Sequence, residues 1–337
     1  MNSDTPIDIA ICTRNRLLSL KETLAALQEA VRGYSSLRIL VVDNGSVDGT
    51  GAYLAGLAAT DPRIIPLSEP QPGLYHARAA VIRMSRGDIL IFVDDDVVPA
   101  PDFLEKLLTA FSDPSVGVAG PSIEGLFEGP LPPWFPPRLL GNIPVLPIQG
   151  PIQECGYPSY PPGACLAIRQ APCLMHYLSP TRRRVELGPG GGGLSGQSTV
   201  DGDDTDLCEI YARAGFRIIR VPDAKVGHRV HTSRLTPSWI IGKFDRDGRL
   251  RVRLARLRGK PGLCRETLLM LAALPVLAPL AFLAEWLEMR GMGMREPDMG
   301  RGILIRAYFA KSLGAWREIL LGERDLRFSY PPDSPSY

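Results

Sequence analysis

Apolar segments and helical segments alternate over the first 120 residues of this chain of 337 residues, and this alternation restricts the fold more than any other feature. Residues 37–42 and 89–93 are nearly continuous aliphatic runs, which is typical of strands buried on both faces. Between the runs, apolar residues recur at helical spacing, and Ser19 with Glu22 matches a capping box at one helix start. The alternation predicts an α/β fold with a doubly wound, mostly parallel, Rossmann-like sheet.

The composition changes after the first third of the chain. Residues 129–163 hold many prolines and predict a surface excursion without regular structure. Residues 249–265 carry seven basic residues and no acidic one, and residues 267–284 then run for 18 residues without a charge. We therefore predict a first domain followed by a basic and hydrophobic helical region. The predicted units are residues 1–245, with halves at about 1–120 and 121–245, and residues 246–337.

Charge and cysteine usage argue against several classes of protein. The net charge of +2 argues against a dedicated nucleic-acid-binding protein, which would usually be strongly basic. No two of the six cysteines form a CxxC pair, so we expect reduced thiols in a cytosolic compartment rather than a zinc or thioredoxin-like site. The first residues show no basic segment followed by an apolar stretch, so we expect no secretory signal.

Three consecutive aspartates, Asp94, Asp95 and Asp96, come directly after the apolar run at residues 89–93. In an open α/β sheet, ligands bind outside the carboxyl ends of the strands. Alternate residues of an extended segment share a face, so Asp94 and Asp96 are placed to hold one cation together. Mg²⁺ in proteins takes one or two carboxylates together with substrate phosphates. The sequence therefore predicts a site for a cation and a diphosphate, with a solvated acidic turn as the alternative.

The first two predicted strands end in further polar residues at the same edge of the sheet. Thr13, Arg14 and Arg16 follow the first strand, and Arg side chains fork onto phosphate oxygens. Asp43 and Asn44 follow the second strand, where a carboxylate accepts hydrogen bonds from a nucleobase or a ribose. The alternative for the second pair is a turn stabilised by the aspartate side chain.

Asp203 and Asp204 open a predicted helix after the glycine-rich residues 188–196. One interpretation is a general base that takes a proton from an acceptor hydroxyl, beside a loop that closes over the acceptor. The other is helix capping, for which acidic residues are common. His228 follows the next predicted strand, and we expect it either to complete the metal site or to have a structural role.

Two further residues have a structural alternative that is at least as strong. Arg78 lies on the helix before the aspartate strand, where a salt bridge within the fold is the alternative to a ligand contact. Trp134 lies in the proline-rich segment, where its aromatic face suits a sugar ring, and the alternative is a small hydrophobic cluster under a loop.

Five landmarks, taken in their order and spacing, resemble the glycosyltransferases of family 2, which have the GT-A type fold. The resemblance runs from about residue 7 to residue 245, and it departs from the family at Asp203, where the family has Glu, and at Ala79, where Asn is frequent. The Gln-x-x-Arg-Trp signature of processive synthases is absent, which favours one transfer for each acceptor. The landmarks are residues 13–16, 42–50, 73–78, 94–96 and 203–207.

The resemblance implies an inverting, metal-dependent transfer of a sugar from a nucleoside-diphosphate sugar to a hydroxyl of a saccharide or a lipid-linked acceptor, in cell-surface polysaccharide or glycolipid synthesis. It implies that Asp204 is the catalytic base. It also implies that Asp94 and Asp96 hold Mg²⁺ or Mn²⁺, with His228 near the metal. The predicted acceptor contacts are Trp134 and Asp203. The predicted donor contacts are Thr13, Arg14, Arg16, Asp43, Asn44, Arg78, Asp94 and Asp95.

The uncharged residues 267–284 approach the roughly 20 residues that a membrane-spanning helix needs. Two prolines within this segment, and basic residues on both of its flanks, argue against a simple span. We expect a kinked, monotopic association with the cytoplasmic face of the membrane, with residues 249–265 towards anionic lipid. The alternative is a helix packed on the first domain, in a cytoplasmic protein.

Two other functions fit parts of the pattern. A nucleotidyltransferase shares the sheet and the metal site, but it usually has glycine in the loop after its first strand, and residues 13–16 contain none. A non-catalytic, membrane-bound carbohydrate-binding protein is the second alternative, and the presence of Asp94, Asp96 and Asp204 argues against it.

Overall fold

A computed structural model describes residues 5–34, 36–135, 137–179, 202–257, 268–269, 272–289 and 296–321. Within these residues, nine strands form one mixed sheet that has helices on both faces. The strands are β1 (Ile7–Thr13), β2 (Leu37–Asp43), β3 (Ile64–Ser68), β4 (Ile89–Val93), β5 (Val97–Pro99), β6 (Val116–Phe127), β7 (Gln153–Glu154), β8 (Cys165–Arg169) and β9 (Arg217–Val230). The helices are α1 (Leu17–Ala30), α2 (Thr50–Ala58), α3 (Leu74–Met84), α4 (Phe103–Leu108), α5 (Met175–Leu178), α6 (Asp203–Arg213), α7 (Pro237–Leu257), α8 (Leu274–Met289) and α9 (Glu296–Leu321).

The first half of the sheet has the predicted alternation of strands and helices. Its strands lie in the order β3-β2-β1-β4, and every neighbouring pair is parallel. Every residue of β1 and β4 is buried, as their continuous apolar runs indicate. Alternate residues of β1 face two separate cores, Ile9 towards α1 and Ala10 towards α3 and α6.

The second half of the sheet is mixed rather than parallel throughout, although β6 and β9 pair in parallel. Strand β8 lies between β4 and β6 and runs antiparallel to both. A parallel strand needs a crossover connection, usually an α-helix, and the described part of residues 128–164 holds no α-helix. The chain therefore re-enters the sheet from the edge at which β6 ends. Strand β8 accordingly begins beside the last residue of β4.

Strands β6 and β9 each continue past an internal proline, Pro121 in β6 and Pro222 in β9, although proline is typical of strand ends and bulges. In the structure they mark an irregularity in the β6–β9 pairing, after which the ribbon continues. His228 is consequently part of β9, opposite Val97 of β5, rather than in a loop after the strand.

The predicted capping box at the start of α1 is also wrong. Helix α1 begins at Leu17, and its cap residue Arg16 makes no capping hydrogen bond through its side chain. Ser19 lies inside the first turn, where its hydroxyl donates to the Asp95 carbonyl at 2.7 Å. Thr23 donates to the same carbonyl at 3.0 Å, so α1 is fastened to the aspartate turn.

The C-terminal helices pack closely, because two glycines lie where α7 crosses α9. A Cβ on Gly248 would lie 1.9 Å from the Lys311 carbonyl oxygen, and one on Gly314 would lie 2.1 Å from that of Asp245. Arg249 bonds to Asp245 at 2.9 Å, and Arg253 bonds to Glu318 of α9 at 2.8 Å. Several arginines predicted to face lipid are therefore paired with acids instead. Within the described ranges, no helix is both long and apolar enough to cross a bilayer.

Candidate active site

The three aspartates lie at the carboxyl end of β4, and Asp95 is tied into the fold. Thr13 donates to one carboxylate oxygen of Asp95 at 2.7 Å, and Arg16 donates to the other at 2.5 Å. The Asp95 side chain is buried, and burial raises its pKa to about 6 although Arg16 opposes the shift. Thr13 and Asp95 thus stabilise the edge at which the parallel strands end, which is called the rim below. Their predicted donor contacts stay predictions.

Asp96 has charged side chains on both sides of its carboxylate. Two guanidinium groups reach its Oδ2 atom, that of Arg16 at 2.9 Å and that of Arg234 at 3.2 Å. On the other side, His228 Nε2 lies 3.4 Å from Oδ1, and Oδ1 is buried without a hydrogen bond among the described residues. Sequence reasoning missed Arg234, whose only local signal is a basic residue shortly after a strand.

The electrostatics of this turn favour a bound cation. Burial, and then repulsion from Asp96, raise the pKa of Asp94 to about 7. Burial acts on Asp96 in the same direction, but the neighbouring His228 ring and the two arginines hold the pKa of Asp96 well below its usual range. A carboxylate with a raised pKa gains most when a cation takes the place of a proton.

The predicted metal ligands are close together but not yet arranged around an ion. Among the described residues, no group of three or more His, Cys, Asp or Glu side chains is positioned to hold a metal. Oxygen ligands such as Asp94 and Asp96 nevertheless fit Mg²⁺ or Mn²⁺, and the unpartnered Oδ1 atom of Asp96 is available. Arg16 and Arg234 occupy the other oxygen of Asp96, and the assignment of Asp94, Asp96 and His228 as metal ligands stays a prediction.

Of the two polar residues at the end of β2, Asp43 is partly accessible and Asn44 is buried within the fold. Asp43 is half-buried, and its Oδ1 atom accepts from the Ser46 amide at 2.9 Å, which is the predicted turn. Asn44 is fully buried, where its amide donates to two carbonyls at 2.8 and 2.7 Å and accepts from Gly73 at 2.8 Å. The geometry therefore favours a structural role for Asn44 over a donor contact.

Arg14 is half-buried, and its Nη1 atom has no hydrogen-bond partner in the described structure.

Arg78 and Asp203 form a buried ion pair beneath the rim. Their side chains are 3% and 5% exposed, and the Tyr177 hydroxyl donates to the second oxygen of Asp203. Arg78 also lies over the Phe92 ring, 5.0 Å from its centroid. The pair joins α3 to α6. This geometry favours the structural alternative for Arg78, and it gives Asp203 partners inside the protein rather than in the acceptor site.

Asp204 is the neighbouring residue on α6 and is partly exposed. Its Oδ2 atom accepts a hydrogen bond from the Gly163 amide at 2.9 Å. A Cβ on Gly163 would lie 2.9 Å from the Cβ atom of Asp204, so only glycine allows this approach. The backbone amide of Asp94 donates to the Ala164 carbonyl at 2.9 Å. The segment before β8 thereby holds the base candidate and the aspartate turn at one edge.

The remaining candidates lie elsewhere. Trp134 is partly buried in a cluster with Phe135, at a ring-centroid distance of 5.5 Å, beside Ile240 of α7. That is the predicted hydrophobic cluster, and an acceptor contact for Trp134 stays a prediction. The glycine-rich residues 188–196 lie outside the described residues.

The structure thus defines an α/β protein whose polar residues gather at the carboxyl ends of its parallel strands, the edge at which such sheets bind ligands. The model of the family described as glycosyl transferase family 2 matches residues 8–171. The succinoglycan biosynthesis protein ExoM of Rhizobium meliloti is 30% identical over 261 residues, which are 75% of this chain and 76% of that protein. The chain belongs to glycosyltransferase family 2.

Other similar proteins match over less of their length. The pre-mycofactocin glycosyltransferase of Mycobacterium tuberculosis is 29% identical over 67% of this chain and 44% of its own length. An uncharacterised protein, y4gI of Sinorhizobium fredii, is 28% identical over 68% of this chain. The chain spans only 44% and 25% of the lengths of these two relatives.

The fold is similar to that of a solved glycosyltransferase. The mannosyltransferase PcManGT from Pyrobaculum calidifontis, in complex with GDP-Man and Mn²⁺, superposes with a TM-score of 0.60 at 20% identity. The match covers 94% of this chain and 88% of PcManGT. The mixed sheet therefore resembles the GT-A fold, as the sequence landmarks imply.

Proposed function

We propose that this protein transfers a sugar from a nucleoside-diphosphate sugar to an acceptor hydroxyl, with inversion and with the help of Mg²⁺ or Mn²⁺. The observation that carries the proposal is the two-residue bridge before β8. Ala164 holds the backbone of Asp94 and Gly163 holds the carboxylate of Asp204, so the donor end and the base share one rigid element. ExoM, named for succinoglycan biosynthesis, supports a role in making cell-surface polysaccharide or glycolipid.

In this mechanism, Asp204 accepts the proton of the acceptor hydroxyl while the oxygen attacks the anomeric carbon. The bond between that carbon and the diphosphate breaks, and inversion follows from attack opposite the leaving group. The Gly163 amide fixes the orientation of the base, and Arg16 contributes positive charge beside the diphosphate. A divalent cation held by Asp94, Asp96 and His228 would supply Lewis-acid neutralisation of the departing diphosphate.

A donor-binding screen tests the class of reaction. UDP-, GDP- and dTDP-sugars are titrated into the protein with Mn²⁺, with Mg²⁺ and with a chelator. We expect one donor to bind with metal only, and Asp96→Ala to weaken its binding at least about tenfold, since the metal loses a carboxylate ligand. The more conservative Asp96→Asn variant, together with the melting temperature of each variant, separates the loss of donor binding from misfolding.

The matched control for this screen is Asp223→Ala, which removes an exposed carboxylate elsewhere on β9 and leaves binding unchanged. Absence of binding by every donor under every metal would contradict the proposal and favour a non-catalytic carbohydrate-binding protein.

The C-terminal region is proposed to rest on the cytoplasmic face of a membrane, where a lipid-linked acceptor would be presented. Helix α8 packs on α9 and turns its other face outwards. Between residues 275 and 283 every exposed side chain is apolar, and Phe282 is 71% exposed. Three basic residues lie in the sequence shortly before this helix, and such a combination favours an interfacial helix on anionic lipid. The outward residues are Pro275, Val276, Pro279, Leu280, Phe282 and Leu283.

Co-flotation with vesicles tests this location. The protein should float with vesicles that contain anionic lipid, and Leu280→Glu/Phe282→Glu should reduce the bound fraction about tenfold or more, because two apolar side chains lose their burial. The control is Met175→Glu, which places a charge at an apolar residue of α5 that is 62% exposed. This variant should float like the parent. Equal flotation of the double variant and the parent, or no flotation of the parent, would refute a lipid contact through α8.

A further inference from the structure

Asp96 has two cationic partners on one of its carboxylate oxygens. Arg16 and Arg234 both reach Oδ2, and their side chains are 39% and 27% exposed. The two arginines differ in their other partners. Arg16 is also anchored by Asp95, whereas the described side-chain contacts of Arg234 go to Asp96 and His228 alone. Arg234 is therefore the more easily displaced of the two.

Arg234 also contacts His228. Its Nη1 atom lies 3.1 Å from Nε2 of His228, and a guanidinium group donates hydrogen bonds and never accepts them. The contact is therefore a hydrogen bond in the tautomer that has its proton on Nδ1, an atom that is buried without a described partner. An Nε2 atom with a free lone pair is the form of histidine that binds a metal. Arg234 thus occupies one carboxylate oxygen of Asp96 and the Nε2 atom of His228, which are atoms of two of the three predicted metal ligands.

The charge balance indicates where Arg234 goes when a cation arrives. With Asp94, Asp95 and Asp96 ionised, the two guanidinium groups leave the cluster one positive charge short of neutral. A divalent cation turns that deficit into an excess of one and repels the guanidinium groups. The donor diphosphate then brings negative charge to the same edge, and its oxygens match the fork of an arginine.

We propose that Arg234 is a resident counter-ion of the metal site that becomes a donor-binding residue. Without a cation it occupies Asp96 and His228, and with a cation bound it is released towards the diphosphate of the donor. This inference rests on the proposed function. Its consequence is ordered binding, because the metal must displace Arg234 before the guanidinium group is free for the phosphates.

Arg234→Gln tests the inference through two effects of opposite sign. We expect Mn²⁺ alone to bind about 3- to 10-fold more tightly, since a competing cation is gone, as measured by calorimetry without nucleotide. We expect UDP or GDP, whichever the parent binds, to bind about tenfold or more weakly at saturating Mn²⁺, since a charge-assisted hydrogen bond is lost. Arg234→Lys keeps the charge and should retain the weak Mn²⁺ affinity of the parent.

The matched control is Arg229→Gln, one residue after His228. The side chain of Arg229 is 28% exposed, about as much as that of Arg234, but it pairs with Glu22 of α1 at 3.0 Å. We expect Arg229→Gln to change neither affinity, and melting temperatures verify that both variants fold. A loss of Mn²⁺ affinity in Arg234→Gln, or the same affinities as in Arg229→Gln, would overturn the inference and leave the proposed function standing. A parent that binds neither Mn²⁺ nor nucleotide would overturn both.

Discussion

Asp204→Asn is expected to abolish sugar transfer while leaving donor binding intact. The amide has the shape of the carboxylate but takes up no proton from the acceptor hydroxyl, and general-base catalysis typically contributes about 10²–10⁴-fold to a rate. The carboxylate of Asp204 accepts from the Gly163 amide at 2.9 Å and from the Thr205 amide at 2.8 Å, and the single oxygen of asparagine keeps one of these two hydrogen bonds. We therefore expect kcat to fall by about that factor and the donor Kd to stay within about twofold.

The measurement combines steady-state kinetics with calorimetric titration of the donor, once the screen has named it. Asp223→Asn, at an exposed position of β9, is the control for an aspartate lost elsewhere and should retain full activity. If Asp204→Asn transferred sugar at the parent rate, the base would have to be another group. If it lost donor binding to the same extent as turnover, Asp204 would act in donor binding or folding instead.

Much of this edge of the sheet follows from the sequence, because the relevant rules are local. Continuous apolar runs predict buried strands, and parallel strands place the residues after them at a common edge. This reasoning places Thr13, Asp43 and Asp94 at the ends of β1, β2 and β4, where the structure has them. The comparisons confirm the family that these landmarks resemble.

The features that the sequence did not reveal depend on contacts between distant residues. Arg78 and Asp203 are 125 positions apart, and no local pattern indicates that they pair. The direction of β8 depends on where a long proline-rich connection returns to the sheet. Arg234 is one of many surface-like arginines in the sequence, and only the end of β9 brings it to Asp96. Tertiary structure, rather than periodicity, decides these features.

Replacing Arg78 with leucine is expected to destabilise the protein by about 3–5 kcal/mol. The change leaves the Asp203 carboxylate buried without its counter-charge, and breaking a buried pair on one side costs about that much. Urea unfolding monitored by circular dichroism measures the difference in the free energy of unfolding. Arg32→Leu is the control, because Arg32 pairs with Glu29 at side chains that are 78% and 60% exposed, and exposed pairs contribute little.

A second variant distinguishes the cost of an orphaned charge from the loss of packing. Arg78→Met/Asp203→Leu removes both charges, so most of the lost stability should return, while the Tyr177 hydroxyl still lacks its acceptor. Activity should not return with it, because Asp203 fixes the start of α6 and hence the position of Asp204. A double variant as unstable as Arg78→Leu would mean that packing around Arg78, including its contact with Phe92, is the dominant contribution. A stable double variant with full turnover would mean that Asp204 is held by the Gly163 amide without help from the pair.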